Sequence, residues 1–182
     1  MRNVWFTSDT HFGHRNIIRY ANRPFASVEE MDEALVDRWN ERVRPGDLVY
    51  FLGDFTMRRV EVARETLSLL HGEIHAVRGN HDRSAYAIRH QFASFQDYLK
   101  VSVGGQVIVC FHYAMRIWDQ AHRGAWHLYG HSHGSLPDDP HARSMDVGVD
   151  CNDYFPFSFD EVARHMEKKD YRPVDHHSPW RD

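Results

Sequence analysis

Five short apolar runs in this chain each stop at a residue type that binds metal ions. Val4–Thr7 leads into Asp9-Thr10-His11, and Leu48–Leu52 into Gly53-Asp54. Ile74–Val77 leads into Gly79-Asn80-His81-Asp82, Gln106–Phe111 into His112, and Trp126–Tyr129 into Gly130-His131-Ser132-His133. Continuous apolar runs this short suit strands buried on both faces. In open α/β sheets, binding groups gather beyond the carboxyl ends of the strands. Gly53, Gly79 and Gly130 suit sharp departures from a strand, where a side chain would crowd the backbone. Taken singly, each motif has a bland reading. Asp54 after a glycine reads as a turn residue, His112 as a core histidine bonded to a carbonyl, and His131 and His133 as the polar face of an exposed strand. Those readings give no reason for all five to fall at strand ends.

Helices separate the early strands. Ser27-Val28-Glu29-Glu30 is a capping box, with Glu30 expected to reach back to Ser27. Val28, Met31, Leu35, Trp39 and Val43 then share one helical face, and Pro45-Gly46-Asp47 ends the segment. Val60–Leu70 reads as helical. Tyr98–Val103 and Gln106–Phe111, joined by Gly104-Gly105, read as a hairpin. Ser144–Val149 reads as a further strand, and Ser158-Phe159-Asp160-Glu161 caps a last helix reaching about Lys169. The pattern is that of a mixed α/β domain with helices outside stacked sheets.

The 182 residues fit one domain, expected over 1–170, with a loosely ordered tail over 171–182 in which Trp180 could pack back. No run approaches the roughly 20 apolar residues needed to span a bilayer. The N-terminus turns polar too early for a signal peptide. Cys110 lies in an apolar run and reads as a buried reduced thiol, so a cytoplasmic location is expected. A net charge of −4 gives no basic stripe and argues against long nucleic acid and membrane surfaces as partners. The sequence says nothing about oligomeric state.

The motifs Asp9-Thr10-His11, Gly53-Asp54, Gly79-Asn80-His81-Asp82, His112 and Gly130-His131-Ser132-His133, in that order, resemble the signature of calcineurin-like metallophosphoesterases. The resemblance implies two mixed β-sheets packed as a sandwich and flanked by helices, a four-layer αββα arrangement with the site at one edge. It also implies two divalent metal ions. Asp9, His11, Asp54 and His133 would hold the first, and Asp54, Asn80, His112 and His131 the second. A carboxylate has two oxygens and can bridge two cations, as Asp54 must. Nitrogen and oxygen donors without thiolate suit manganese first, with iron, zinc, cobalt or nickel as alternatives, better than magnesium or calcium.

The implied chemistry is hydrolysis of a phosphate ester by a hydroxide shared between the metals. His81 resembles the histidine that protonates the leaving group, with Asp82 orienting or charging its ring; the alternatives for His81 are a further ligand or a structural residue. His14 either reaches the substrate phosphate or caps the next helix, and Asn80 and His81 are the other candidate substrate contacts. Arg15, Arg58, Arg83 and Arg116 are surface groups that could meet phosphate. Tyr113 and Trp118 could line a pocket for a base or ring, but core packing is the preferred reading; Asn152 and Asp153 follow a strand end and could support the site, but a turn is the preferred reading. His165, His176 and His177 read as bystanders. Gly-Asn-His-Asp, Phe55-Thr56-Met57 after Asp54, and a histidine pair set the chain closer to small prokaryotic or phage phosphoesterases than to protein phosphatases. A phosphodiesterase acting on small organic or nucleotide-like esters is the first expectation; a phosphomonoesterase with the same site and a non-catalytic metal-binding scaffold are the alternatives.

Overall fold

The computed structural model describes residues 2–174. Nine strands form two sheets. The first, in the order β4-β3-β2-β1-β9, comprises Ser94–Gln96, Glu73–Val77, Leu48–Phe51, Val4–Thr7 and Phe157–Ser158. Its first four strands run parallel and β9 is antiparallel to β1. The second, in the order β5-β6-β7-β8, comprises Tyr98–Val103, Gln106–Phe111, Trp126–Tyr129 and Ser144–Asp146. The β5–β6 hairpin is antiparallel, and β6, β7 and β8 are parallel. Both sheets are mixed, as the resemblance implies.

Alternation along the strands decides what fills each layer. Phe6, Tyr50, Leu52 and Val77 of the first sheet meet Leu99, Ile108, Cys110, Trp126 and Leu128 of the second in one core between the sheets. The opposite faces of β2 and β3, through Val49, Phe51, Ile74 and Ala76, are covered by helices. These are α1 (Arg15–Tyr20), α2 (Val28–Arg42), α3 (Val60–Leu69) and α4 (Arg83–Ala87). Helix α2 buries Val28, Met31, Leu35 and Trp39, the stripe that the 3.6-residue period requires. The outer face of the second sheet is covered differently. There Trp118, Ala121 and Ala125, from the irregular segment between β6 and β7, close over Val109.

Helix α5 (Phe159–Glu167) opens with the complete capping box, Ser158 and Glu161 each bonding the other's backbone. At α2, Ser27 accepts from Glu30 as expected, but the Glu30 carboxylate turns to the amide of Ala26. Strand β8 is shorter than the sequence suggests because the chain bends at Val147 towards the end of β1, where Gly148 bridges to Ser8. The start of the tail is tied down. The Tyr171 hydroxyl donates to the Ala121 carbonyl, and the Arg172 amide donates to the His141 carbonyl at 2.9 Å. His176, His177 and Trp180 lie outside the described residues. No helix among the described residues is long and apolar enough to cross a membrane.

Candidate metal centre

The loops after β1, β2, β3, β6 and β7 converge, and they form two groups of side chains. Asp9, His11 and His133 make the first, and Asp54, His112 and His131 the second; within each, one donor atom per residue lies within 4.8 Å of the others. Asn80 joins the second. Its Oδ1 is 3.0 Å from both Nε2 of His112 and Nδ1 of His131, and the Tyr113 hydroxyl approaches it at 3.3 Å.

The backbone makes this convergence possible at a cost. Asp9, His11, Asp54, His131 and His133 all adopt positive φ, between 48° and 67°. Non-glycine residues rarely do so, and such strain persists only where surroundings enforce it. Here the β1 and β2 loops are laced together: the Asp9 amide donates to the Gly53 carbonyl at 2.9 Å and the His11 amide to the Asp54 carbonyl at 3.0 Å. The glycines of the motifs make room for carboxylates. A Cβ on Gly79 would stand 2.2 Å from Asp54 Oδ1, and one on Gly130 would stand 2.4 Å from Asp9 Oδ2.

Asp54 sits between the groups. Its Oδ1 accepts the His81 amide at 2.8 Å, which leaves Oδ2 facing inward. Oδ2 is 3.4 Å from Nε2 of His11 and 3.5 Å from Nε2 of His112. These separations are long for hydrogen bonds. They suit donors sharing an ion, since atoms each about 2.1 Å from one cation lie roughly 3.0–3.5 Å apart. His11 is buried, yet neither of its ring nitrogens has a hydrogen-bond partner. Buried polar atoms are almost always satisfied, so an orphaned Nε2 facing the carboxylates of Asp9 and Asp54 fits a divalent cation.

Electrostatics agree. Burial pushes the Asp9 carboxyl up to about 7 and the His11 imidazole down to about 3. Burial also opposes ionisation of Asp54, but the neighbouring His112 imidazole and the His81 amide hold its carboxyl down to about 2. The protein's own groups thus compensate one carboxylate and leave the other short of positive charge, which a metal ion supplies.

Supporting contacts fix the imidazoles. His112 places Nδ1 2.7 Å from the Leu52 carbonyl, so Nδ1 carries the proton and Nε2 faces the cluster. His133 places Nδ1 2.7 Å from Oδ2 of Asp150. Asp150 in turn receives both Nε and a terminal nitrogen of Arg23 at 2.8 Å. Burial works against the charge of Asp150, but the bonds from His133 and Arg23 outweigh it and hold its carboxyl below the usual range.

Several expectations need correction. Asp82 does not serve the His81 ring. Both its oxygens accept buried amides, from Gly79 at 2.7 Å, Phe55 at 2.7 Å and Asp54 at 2.9 Å. The backbone of His81 is pinned by Asp54, and its ring stands exposed beside His11 and His14, with centroids 5.5 and 6.4 Å away. His14 occupies the N-cap position of α1 but makes no capping bond, and its buried Nδ1 has no hydrogen-bond partner. Tyr113 is not a core residue: it is exposed, with its ring 4.7 Å from that of His131. Trp118 is core. Arg58 pairs with Asp32 at 3.1 Å, while Arg15, Arg83 and Arg116 are exposed. His165 lies 3.3 Å from Asp138. Asn152 donates to the Phe155 carbonyl within a turn; the supporting carboxylate is Asp150, two residues earlier. Neither Asp150 nor Arg23 was found from the sequence. Asp150 does follow Val147-Gly148-Val149 as Asp54 follows its strand, a signal that could have marked it; Arg23 carries none.

Residues 2–143 match the calcineurin-like phosphoesterase superfamily domain. The chain belongs to that superfamily, a family of phosphoesterases that typically bind divalent metals. It is 37% identical over 175 residues to an uncharacterised protein of Methanocaldococcus jannaschii, covering 92% of this chain and 93% of that one. It is 36% identical over 86 residues to the Gene 66 protein of Mycobacterium phage D29, covering 46% of this chain and 42% of the phage protein. A crystal structure of a protein of unknown function from Aquifex aeolicus superposes with a TM-score of 0.71 at 23% identity, over 91% of this chain and 100% of that one. At that identity the likeness concerns the fold.

Proposed function

We propose that this chain is a phosphodiesterase acting on small organic or nucleotide-like diesters, with two divalent cations held side by side. Asp9, His11, Asp54 and His133 would hold the first cation, and Asp54, Asn80, His112 and His131 the second. The observation that carries this reading is the position of Asp54 Oδ2, 3.4 Å from a histidine nitrogen of one group and 3.5 Å from one of the other. When bound, such a pair polarises phosphate oxygens and lowers the pKa of a shared water. Manganese is the first candidate, on the grounds of mixed nitrogen and oxygen donors.

The chain's own residues do the rest. Asp54 spans the two groups while Asp82 fixes its backbone. The Leu52 carbonyl and the Asp150 carboxylate hold protons on the Nδ1 atoms of His112 and His133, leaving Nε2 of each free to ligate. His81 sits with its backbone anchored and its ring at the exposed mouth, in reach of a leaving oxygen that needs a proton. Asn80, His131 and Tyr113 are exposed at the same mouth. An open mouth of this kind would leave room for a phosphate carrying a substituent on each side, and the diester reading is placed first on that ground. The test compares turnover of bis-(p-nitrophenyl) phosphate and p-nitrophenyl phosphate with added Mn²⁺. Faster release from the diester is expected. Faster release from the monoester would move the assignment to a phosphomonoesterase, and inertness to every ester with both ions bound would make the chain a scaffold.

A further inference from the structure

Apart from Asp54 between them and the His131 amide, which donates to the Asp9 carboxylate at 2.9 Å, the two groups are supported by different parts of the chain. His112 leans on the Leu52 carbonyl, and its Nε2 and His131 Nδ1 meet at Asn80. All of these contacts lie among the loops after β2, β3, β6 and β7. Asp9, His11 and His133 are bound together by Arg23 and Asp150. The Arg23 side chain, fully buried, donates to the Asp9 carbonyl at 2.7 Å and to the Thr10 carbonyl at 3.0 Å, the carbonyls of the two peptide groups that link Asp9 to His11. Its Nε and Nη2 form the forked pair with Asp150. Asp150 sits in a 3-10 turn, Val149–Cys151, whose first amide donates to the Ser8 carbonyl at 3.1 Å. From there Oδ2 meets His133 Nδ1 at 2.7 Å.

We propose that Asp150 and Arg23 are positioning residues for the first cation site alone, aiming His133 at it and fixing the Asp9–His11 segment against it, so that the two sites can be weakened separately. The proposal rests on the two-cation reading above. His133 stands on a loop in a left-handed conformation, with φ 48°, and its ring is partly exposed, so something beyond the loop must fix the imidazole. A carboxylate that accepts Nδ1–H selects the tautomer with a free Nε2 and raises its basicity, and loss of such partners typically costs 10–100-fold in metal affinity. Because Arg23 pairs with Asp150, the pair adds no net charge to the site. Its contribution is orientation and tautomer.

The experiment is a calorimetric titration of the metal-stripped full chain with Mn²⁺. The unaltered chain is expected to bind two ions. Asp150→Asn keeps the shape but sets an N–H against either Arg23 or His133; it is expected to weaken one ion 10–100-fold and leave the other unchanged. His133→Ala should affect the same ion, and adding Asp150→Asn to it should weaken binding by less than Asp150→Asn does in the unaltered chain, the remainder passing through Arg23. Arg23→Lys should give the same asymmetry. Should the Arg23 variant fold poorly, the Asp150 and His133 cycle decides alone. In the Zn²⁺-loaded unaltered chain, a ¹⁵N-histidine spectrum should place the His133 proton on Nδ1. Equal weakening of both ions, undiminished binding by Asp150→Asn, or a His133 proton on Nε2 would overturn the proposal while the two-cation reading stands. Fewer than two ions in the unaltered chain would overturn both.

Discussion

Asp82 accepts the backbone amide of Asp54 at 2.9 Å, across a separation of 28 residues. The same carboxylate takes the amides of Phe55 and Gly79, so it clamps the loop of Asp54 to the loop that bears Asn80 and His81. Asp82→Ala leaves three buried N–H groups without an acceptor, each costing roughly 1–3 kcal/mol. A stability loss of about 3 kcal/mol or more in urea unfolding, with reduced metal content, is the expected outcome. Normal stability and metal content with impaired turnover would return Asp82 to the service of His81.

His81 itself touches Asp54 only through its backbone. His81→Ala should therefore keep both ions, measured by elemental analysis, while turnover of a substrate with a poor leaving group falls roughly 10²–10⁴-fold. Loss of metal from this variant would make the ring a ligand.

The motif glycines give a sharper contrast. In Gly130→Ala the new methyl meets Asp9 Oδ2 and Ser8 Oγ, at 2.4 and 2.3 Å. It should weaken the first ion before the second. In Gly79→Ala it meets Asp54, which serves both, and binding of both ions should fall together. Calorimetry with Mn²⁺ reads the difference; indistinguishable profiles would count against Asp54 as the shared ligand.

His127 carries a pH dependence that is independent of the metal ligands. It is buried on β7, where Nε2 accepts the Met115 amide at 3.1 Å and Nδ1 faces the Val109 carbonyl at 3.1 Å, a neutral ring with both positions used. Burial lowers its pKa from 6.5 to about 4. The folded state thus refuses a proton that the unfolded chain accepts. Stability is unaffected above pH 6.5 and declines as the pH falls towards 4, by about 3 kcal/mol at 1.36 kcal/mol per unit. Urea unfolding at pH 7 and pH 4.5 should show the stability advantage of the native chain over His127→Gln shrinking in acid. An advantage that stays constant would mean that the ring does not resist protonation.

The side chains that the structure brings together in the two groups were legible as candidates in the sequence because each follows a strand end, and strand ends are visible as places where apolar runs stop. Strands β1 to β3 and β5 to β8 and the stripe on α2 were legible for the same reason; the two-residue β9 and the short α1 were not. Strand β4 and helix α4 were not: they are short, and their pairing depends on the neighbouring β3 and α3 rather than on any period of their own. The roles of Asp82, Asp150 and Arg23 were also hidden. Their partners are backbone groups and side chains far along the chain, and only folding makes those contacts. The left-handed backbone at five ligands leaves no trace in residue type, since aspartate and histidine were already present as donors.

The most direct measurement is anomalous diffraction from crystals soaked in Mn²⁺. Two peaks about 3.5–4 Å apart, one on each side of Asp54 Oδ2, are expected. A single peak, or peaks away from Asp54 under saturating metal, would contradict the shared-carboxylate centre.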